Sequence, residues 1–141
     1  MKLNKAAWFW ATIAFLAIGW LWCLAHYRWN DSPSVKEGLY EITYGPYERG
    51  GYVLVGQMTK KIGALPGDHV RFTAEGIYAE GKLLPNTAPE PGEAHFPFGE
   101  MVVPKGMFVA VGTHPDSFDS RYEGPLPLSL IVSNLEPVEV R

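Results

Sequence analysis

Cysteine is nearly missing: Cys23 is the only one in 141 residues. No disulfide can close within the chain, and no cysteine-rich zinc site can be built. Charge of either sign is sparse. Twelve Lys and Arg against 15 Asp and Glu leave a net charge of −3. No basic stripe runs along any segment, which argues against a nucleic-acid partner. His26, His69, His95 and His114 stand at no metal-ligand spacing and no H-E-x-x-H occurs, so neither a metal nor another cofactor is expected. No spacing suggests a Ser-His-Asp triad, although such a triad is assembled in space rather than in sequence. No internal repeat is visible, and the length suits one domain.

The longest gap in the charges is informative. Ala6 to Ala25, AAWFWATIAFLAIGWLWCLA, carries none. About twenty helical residues reach about 30 Å, the thickness of a bilayer's hydrocarbon core. Trp8, Trp10, Trp20 and Trp22 lie towards its two ends, as an interfacial aromatic belt requires. A cleaved signal peptide is the competing reading. The run exceeds the usual apolar region and no small-x-small site follows. A lipoprotein signal needs a small residue before Cys23, where Trp22 stands. Residues 1–27 are therefore read as a membrane anchor and 28–141 as a separate domain. Lys2 and Lys5 precede the span and His26 and Arg28 follow it. This charge bias favours an inside amino terminus and a domain outside the cytoplasm.

Beyond the span, Gly and Pro are plentiful, 15 and 12 in the whole chain, and short apolar runs alternate with turn signals. This pattern predicts a mainly β domain. Expected strands cover 39–44, 52–57, 60–64, 69–73, 76–79, 82–84 and 107–112. Pro66-Gly67-Asp68 predicts a turn, and Glu80-Gly81 the tip of a hairpin. Residues 85–100, PNTAPEPGEAHFPFGE, are too rich in Pro for a central strand. Gly76 to Lys82, GIYAEGK, fits G-x-x-x-x-G-K, but Leu83 replaces the required Ser or Thr and the glycines flank a hairpin, so the match is read as chance.

Three stretches hold candidate chemistry. NDSPSVKEGLY (30–40) follows the span at once and is equally a polar exit linker. MTKKIGALPGD (58–68) places two lysines ahead of an apolar turn. If it is extended, side chains alternate. Lys60 then shares a face with Met58 and Ile62, and Lys61 one with Thr59, so Lys60 is the better candidate for a buried amine. SFDSRYEGP (117–125) crowds Ser, Asp, Ser and Arg together, as a hydrogen-bonded turn also would.

Together these stretches resemble the type I signal peptidases, membrane proteases with a Ser/Lys dyad. SVKEGLY is similar to the nucleophile box, KKIGALPGDHV to the lysine box, and VPKGMFVAVG followed by SFDSRYEGP to the final box. N-x-S-x-S before GLY, the phrase SFDSRYEGP and the single span resemble the conjugative-transfer, TraF-like branch. Those members mature pilin precursors, and some also cyclise the pilin by attack of the new amino terminus on an acyl intermediate. The resemblance implies a signal-peptidase-like antiparallel β domain. It implies Ser34 as nucleophile and Lys60 as general base. Ser32 matches a hydroxyl that helps hold the oxyanion, and Ser117 a serine that orients the lysine. Asp119 and Arg121 match the family's ion pair beside the site, and in the conjugative branch the Asp is implicated in activity. Lys36 departs from the proline usual in this branch, and the short stretch between the first two boxes leaves room for less substrate-side β-structure.

A serine hydroxyl attacks only once its proton is taken, and a lysine takes it only when neutral. Burial lowers the amine from its ordinary value of ~10.4. The expected partners are a pilin-like or signal-peptide-bearing precursor and membrane lipid, at the bacterial inner membrane with the domain on the periplasmic side. Trp29, Phe96 and Phe98 are expected to dip into the bilayer surface, with ordinary loop anchoring the alternative for Phe96 and Phe98. A general leader peptidase, and an inactive membrane-anchored assembly module of the same fold, are the alternative functions.

Overall fold

The computed structural model describes residues 4–139. Lys2, one of the charges expected to orient the span, lies outside the described residues.

Helix α1 covers Lys5–His26, and Asn4 caps it by accepting the Ala7 N–H at 2.8 Å. None of its residues is buried against the rest of the chain. Twenty-two residues at ~1.5 Å each span a bilayer core. By length and apolar composition the helix is able to cross a membrane.

Beyond α1 the described residues form eleven strands in two antiparallel sheets. The strands are β1 (Tyr27–Asn30), β2 (Gly38–Thr43), β3 (Tyr52–Val55), β4 (Met58–Ala64), β5 (His69–Thr73), β6 (Gly76–Ala79), β7 (Lys82–Leu83), β8 (Gly99–Val102), β9 (Met107–Val111), β10 (Leu126–Pro127) and β11 (Ile131–Pro137). A seven-stranded sheet runs β1-β2-β11-β3-β4-β9-β10, and a four-stranded sheet runs β7-β6-β5-β8. A short helix α2 (Ser120–Glu123) lies between β9 and β10.

The fold is the mainly β architecture read from the sequence, with one apolar helix ahead of it. The strand expected at 69–73 and that at 76–79 have those bounds in the structure. The hairpin tip is Glu80-Gly81, with φ of 49° and 79°. Both residues are left-handed, as a two-residue turn between right-twisted strands requires. Residues 76–82 are thus strand and turn, and no helix follows to make a phosphate loop. The loop at 85–100 yields its last two residues to β8.

Strands β1, β8, β10 and β11 were not anticipated. β11 is the instructive one, since it lies between β2 and β3. Its inward residues are Ile131, Ser133 and Leu135. A buried serine in the middle breaks the apolar alternation by which strands are recognised.

Strands β4 and β9 are packed on both faces. Val109 and Val111 join the core between the sheets with Phe72, Ile77 and Ala64. Phe108 and Ala110 face the other way, against Val53, Val55 and Ile62. Burying each such large side chain contributes about 1.5–3 kcal/mol. A third cluster of Val35, Tyr40, Leu54 and Leu135 sits under the loop after β1. Phe96 packs on Phe72, ring centroids 4.7 Å apart, so it is a loop anchor, while Phe98 and Trp29 stay 49% and 66% exposed.

Candidate active site

The site begins with a hairpin. β1 and β2 pair from Tyr27↔Glu41 to Asn30↔Gly38, so residues 31–37 form the connection between them. Asn30 is buried at its base. Its side-chain amide donates to the carbonyls of Ser32 (3.0 Å), Val35 (3.4 Å) and Lys36 (3.3 Å). The buried Tyr40 hydroxyl donates to the Lys36 carbonyl at 2.7 Å. Val35 points into the cluster below. Asn30, Val35 and Tyr40 thus hold the turn that carries Ser34, which gives a physical role to the N…GLY pattern.

Ser34 is fixed a second time, from the turn that follows β9. Its carbonyl accepts the Thr113 N–H, the Thr113 hydroxyl at 3.2 Å and the Ser117 hydroxyl at 3.5 Å. Gly112 makes this approach possible. A Cβ there would stand 1.9 Å from Ser117 Oγ and 2.9 Å from the Ser34 carbonyl oxygen, closer than atoms can sit.

Lys60 comes from β4 and is 3% exposed. Its Nζ lies 3.2 Å from Ser34 Oγ and donates to the Phe118 carbonyl at 2.7 Å. The amine is held below the ordinary lysine value. Burial is the main cause. The Asp119 carboxylate opposes it, and the Arg121 guanidinium adds to the lowering. Lys61, the next residue on β4, is half-exposed, so the two lysines take opposite faces as strand alternation requires.

Ser32 also lies beside Ser34. The Ser34 N–H donates to Ser32 Oγ at 3.3 Å. An amide and a hydroxyl therefore meet at one point, which is what an oxyanion needs. An incoming oxyanion would take that N–H from the hydroxyl.

Asp119 and Arg121 form a buried two-point ion pair, Nε to Oδ1 and Nη2 to Oδ2 both at 2.8 Å. Asp119 also accepts the Gly112 N–H at 2.8 Å and caps α2 through the Arg121 N–H at 3.0 Å. Arg121 Nη1 donates to the Ala88 carbonyl at 3.1 Å and to that of Pro115. The pair ties the 85–100 loop, the 113–117 turn and β9 into one frame beside Lys60. The Pro-Gly-Asp turn has its own reason. Asp68 accepts the Leu65 N–H at 2.9 Å and a two-point contact from Arg49, which holds its carboxyl below the usual carboxylate range.

The six residues singled out in the sequence thus fall in one cluster, with one change of role. Ser117 lies against the Ser34 carbonyl rather than the Lys60 amine. The space opened by Gly112 turns it that way, and the Phe118 carbonyl takes the lysine instead. Asn30, Gly112 and Thr113 also belong to the site. Asn30 was visible in the quoted pattern, whereas nothing in the sequence signalled Thr113 or a main-chain carbonyl.

The sequence matches the family described as signal peptidase, peptidase S26, over residues 3–138. It is 26% identical to the plasmid transfer protein TraF of Escherichia coli over 148 residues, covering 82% of this chain and 84% of that one. It is 34% identical to the conjugal transfer protein TraF of Agrobacterium fabrum over 85 residues, covering 57% of this chain and 48% of that one. The crystal structure of a signal peptidase I from Enterococcus faecalis superposes with a TM-score of 0.48 at 19% identity, covering 67% of this chain and all of that one.

Proposed function

The chain belongs to the signal peptidase, peptidase S26, family, and on that premise we propose that it is a membrane-anchored serine endopeptidase acting on pilin-like precursors in conjugative transfer. The observation that carries the reading is the 3.2 Å approach of a buried Lys60 amine to Ser34 Oγ. The likeness to TraF proteins supports conjugation as the setting.

In this reading Ser34 Oγ attacks the carbonyl carbon of the scissile peptide bond as its proton passes to neutral Lys60. The Ser34 N–H and the Ser32 hydroxyl hold the oxyanion. One such donor is typically worth ~10²–10³ in rate. The intermediate collapses as the protonated Lys60 returns the proton to the leaving amine. Lys60 then draws a proton from water to release the acyl group. If the new amino terminus attacks instead, the product is cyclic. The domain lies on the periplasmic side of the inner membrane, with α1 as its anchor. Trp29 and Phe118, 66% and 56% exposed, rest at the lipid surface beside the dyad, where a tethered precursor presents its cleavage site.

The test follows the precursor encoded nearest to this chain by intact mass, in membranes containing either the parent chain or Ser34→Ala. Cleavage that vanishes in the variant establishes the serine protease, and the product mass separates linear from cyclic pilin. Equal cleavage by both removes Ser34 as nucleophile.

A further inference from the structure

Lys60 serves the dyad, but Lys61 faces elsewhere. On the other face of β4 a groove of about 360 Å³ opens between the two sheets, within the ~300–1,000 Å³ of ordinary binding clefts. Its floor is aliphatic, from Ala79, Leu84 and Val111. Gly63 belongs to it too, packed so closely that a Cβ would meet Leu84 Cδ1 at 2.9 Å. At one end stand Gly112 and Thr113, the residues that pack against and hold Ser34's carbonyl. The groove and the dyad therefore share a wall.

The rim is cationic. Lys61, Lys82 and Arg49 line it, against one carboxylate, Glu80. Arg49 is committed to Asp68, and Glu80 accepts the His69 N–H at 2.6 Å. Lys61 and Lys82 enter no ion pair among the described residues. Lys61 lies only over the Tyr52 ring, 5.3 Å from its centroid. β7, which carries Lys82, is the terminal strand of its sheet, and an edge strand offers main-chain groups to an extended peptide. Two uncommitted ammonium groups over an aliphatic floor, beside an open strand edge, suit an extended peptide with carboxylates flanking an aliphatic side chain.

We propose that this groove is a second binding site, away from the cut, for an acidic and aliphatic extended segment of the precursor. The assignment of the segment to a precursor rests on the peptidase reading. Binding there anchors the chain against the Gly112–Thr113 wall while Ser34 acts on the other side of β4.

The experiment uses the full chain with Ser34→Ala in neutral-lipid nanodiscs and two fluorescein-labelled decapeptides, one alternating Glu and Leu, the other Lys and Leu. Anisotropy is expected to show saturable binding of the acidic peptide, weakened by salt. Lys61→Glu with Lys82→Glu should weaken it about tenfold, since each exposed pair is worth up to about fivefold, and should reverse the preference between the peptides. Lys61→Gln with Lys82→Gln, a milder change to the fold, should give an intermediate loss. No saturable binding of the acidic peptide, or an affinity unchanged in both double variants, overturns the proposal. No step of this assay needs catalysis, so its failure is distinct from a failure of Ser34-dependent cleavage.

Discussion

On the peptidase proposal, Lys60 has to shed its charge before it can take the Ser34 proton, and the same burial that allows this costs stability. In the unfolded chain the amine titrates near ~10.4. In the folded chain it titrates lower, chiefly through desolvation. Between the two values the unfolded chain holds the extra proton, so unfolding free energy rises with pH across that window. Lys60→Met should therefore stabilise the fold below the folded value and lose the advantage above ~10.4. Thermal melts of both chains across pH 6 to 10.5 read the convergence. The rate of precursor cleavage by the parent chain should climb with pH to a plateau reached below ~10.4. A stability difference that does not shrink with pH would mean that Lys60 is not desolvated in the fold. At this scale the sequence was legible where a side chain carries the geometry: Ser34, Lys60 and the Asp119–Arg121 pair fall together. It was silent where a main-chain group acts. Phe118 contributes its carbonyl, and no side-chain pattern encodes a carbonyl. Thr113 lies 79 positions from Ser34, so only the folded chain brings them together.

Among the elements, α2 has four residues and little stability of its own, since isolated helices shorter than ~12 residues are marginal. Asp119 and Arg121 hold it in place. Asp119→Asn would leave the Arg121 charge buried and unmatched, for a loss of about 3–5 kcal/mol. Urea unfolding of the two chains measures it, and a loss under about 1 kcal/mol would mean that solvent reaches Arg121. Strands with turn chemistry at both ends were readable: β5 and β6 lie between the Pro-Gly turn and the Glu80-Gly81 tip, and glycine or proline fixes where a strand must stop. β1 has no such punctuation, because it continues straight from α1 at Tyr27. β10 has only two residues, too few for a periodicity.

For the molecule as a whole, α1 buries none of its residues in the β domain, so its removal takes away no core. A chain starting at Tyr27 should keep the domain's thermal midpoint within a few degrees, since a change of 1 kcal/mol shifts it by roughly 4–8 °C in a domain of this size. It should lose its partition into lipid vesicles, except for what Trp29, Phe98 and Phe118 supply. Differential scanning calorimetry and vesicle flotation check the two halves. A collapse of the midpoint would show that α1 is part of the fold rather than a tether.

The strand order sets a schedule as well as a shape. Ser34 rides on the β1–β2 hairpin and Lys60 on β4, and within the sheet β11 is what joins the two halves. β11 is also the last strand in chain order. During synthesis, the hairpin and the β3–β4 unit emerge early but have no shared sheet until residues 131–137 arrive between them. Ser34 and Lys60 are therefore held in one sheet only once its last strand in chain order has joined, so the site is complete only when residues 131–137 have been made.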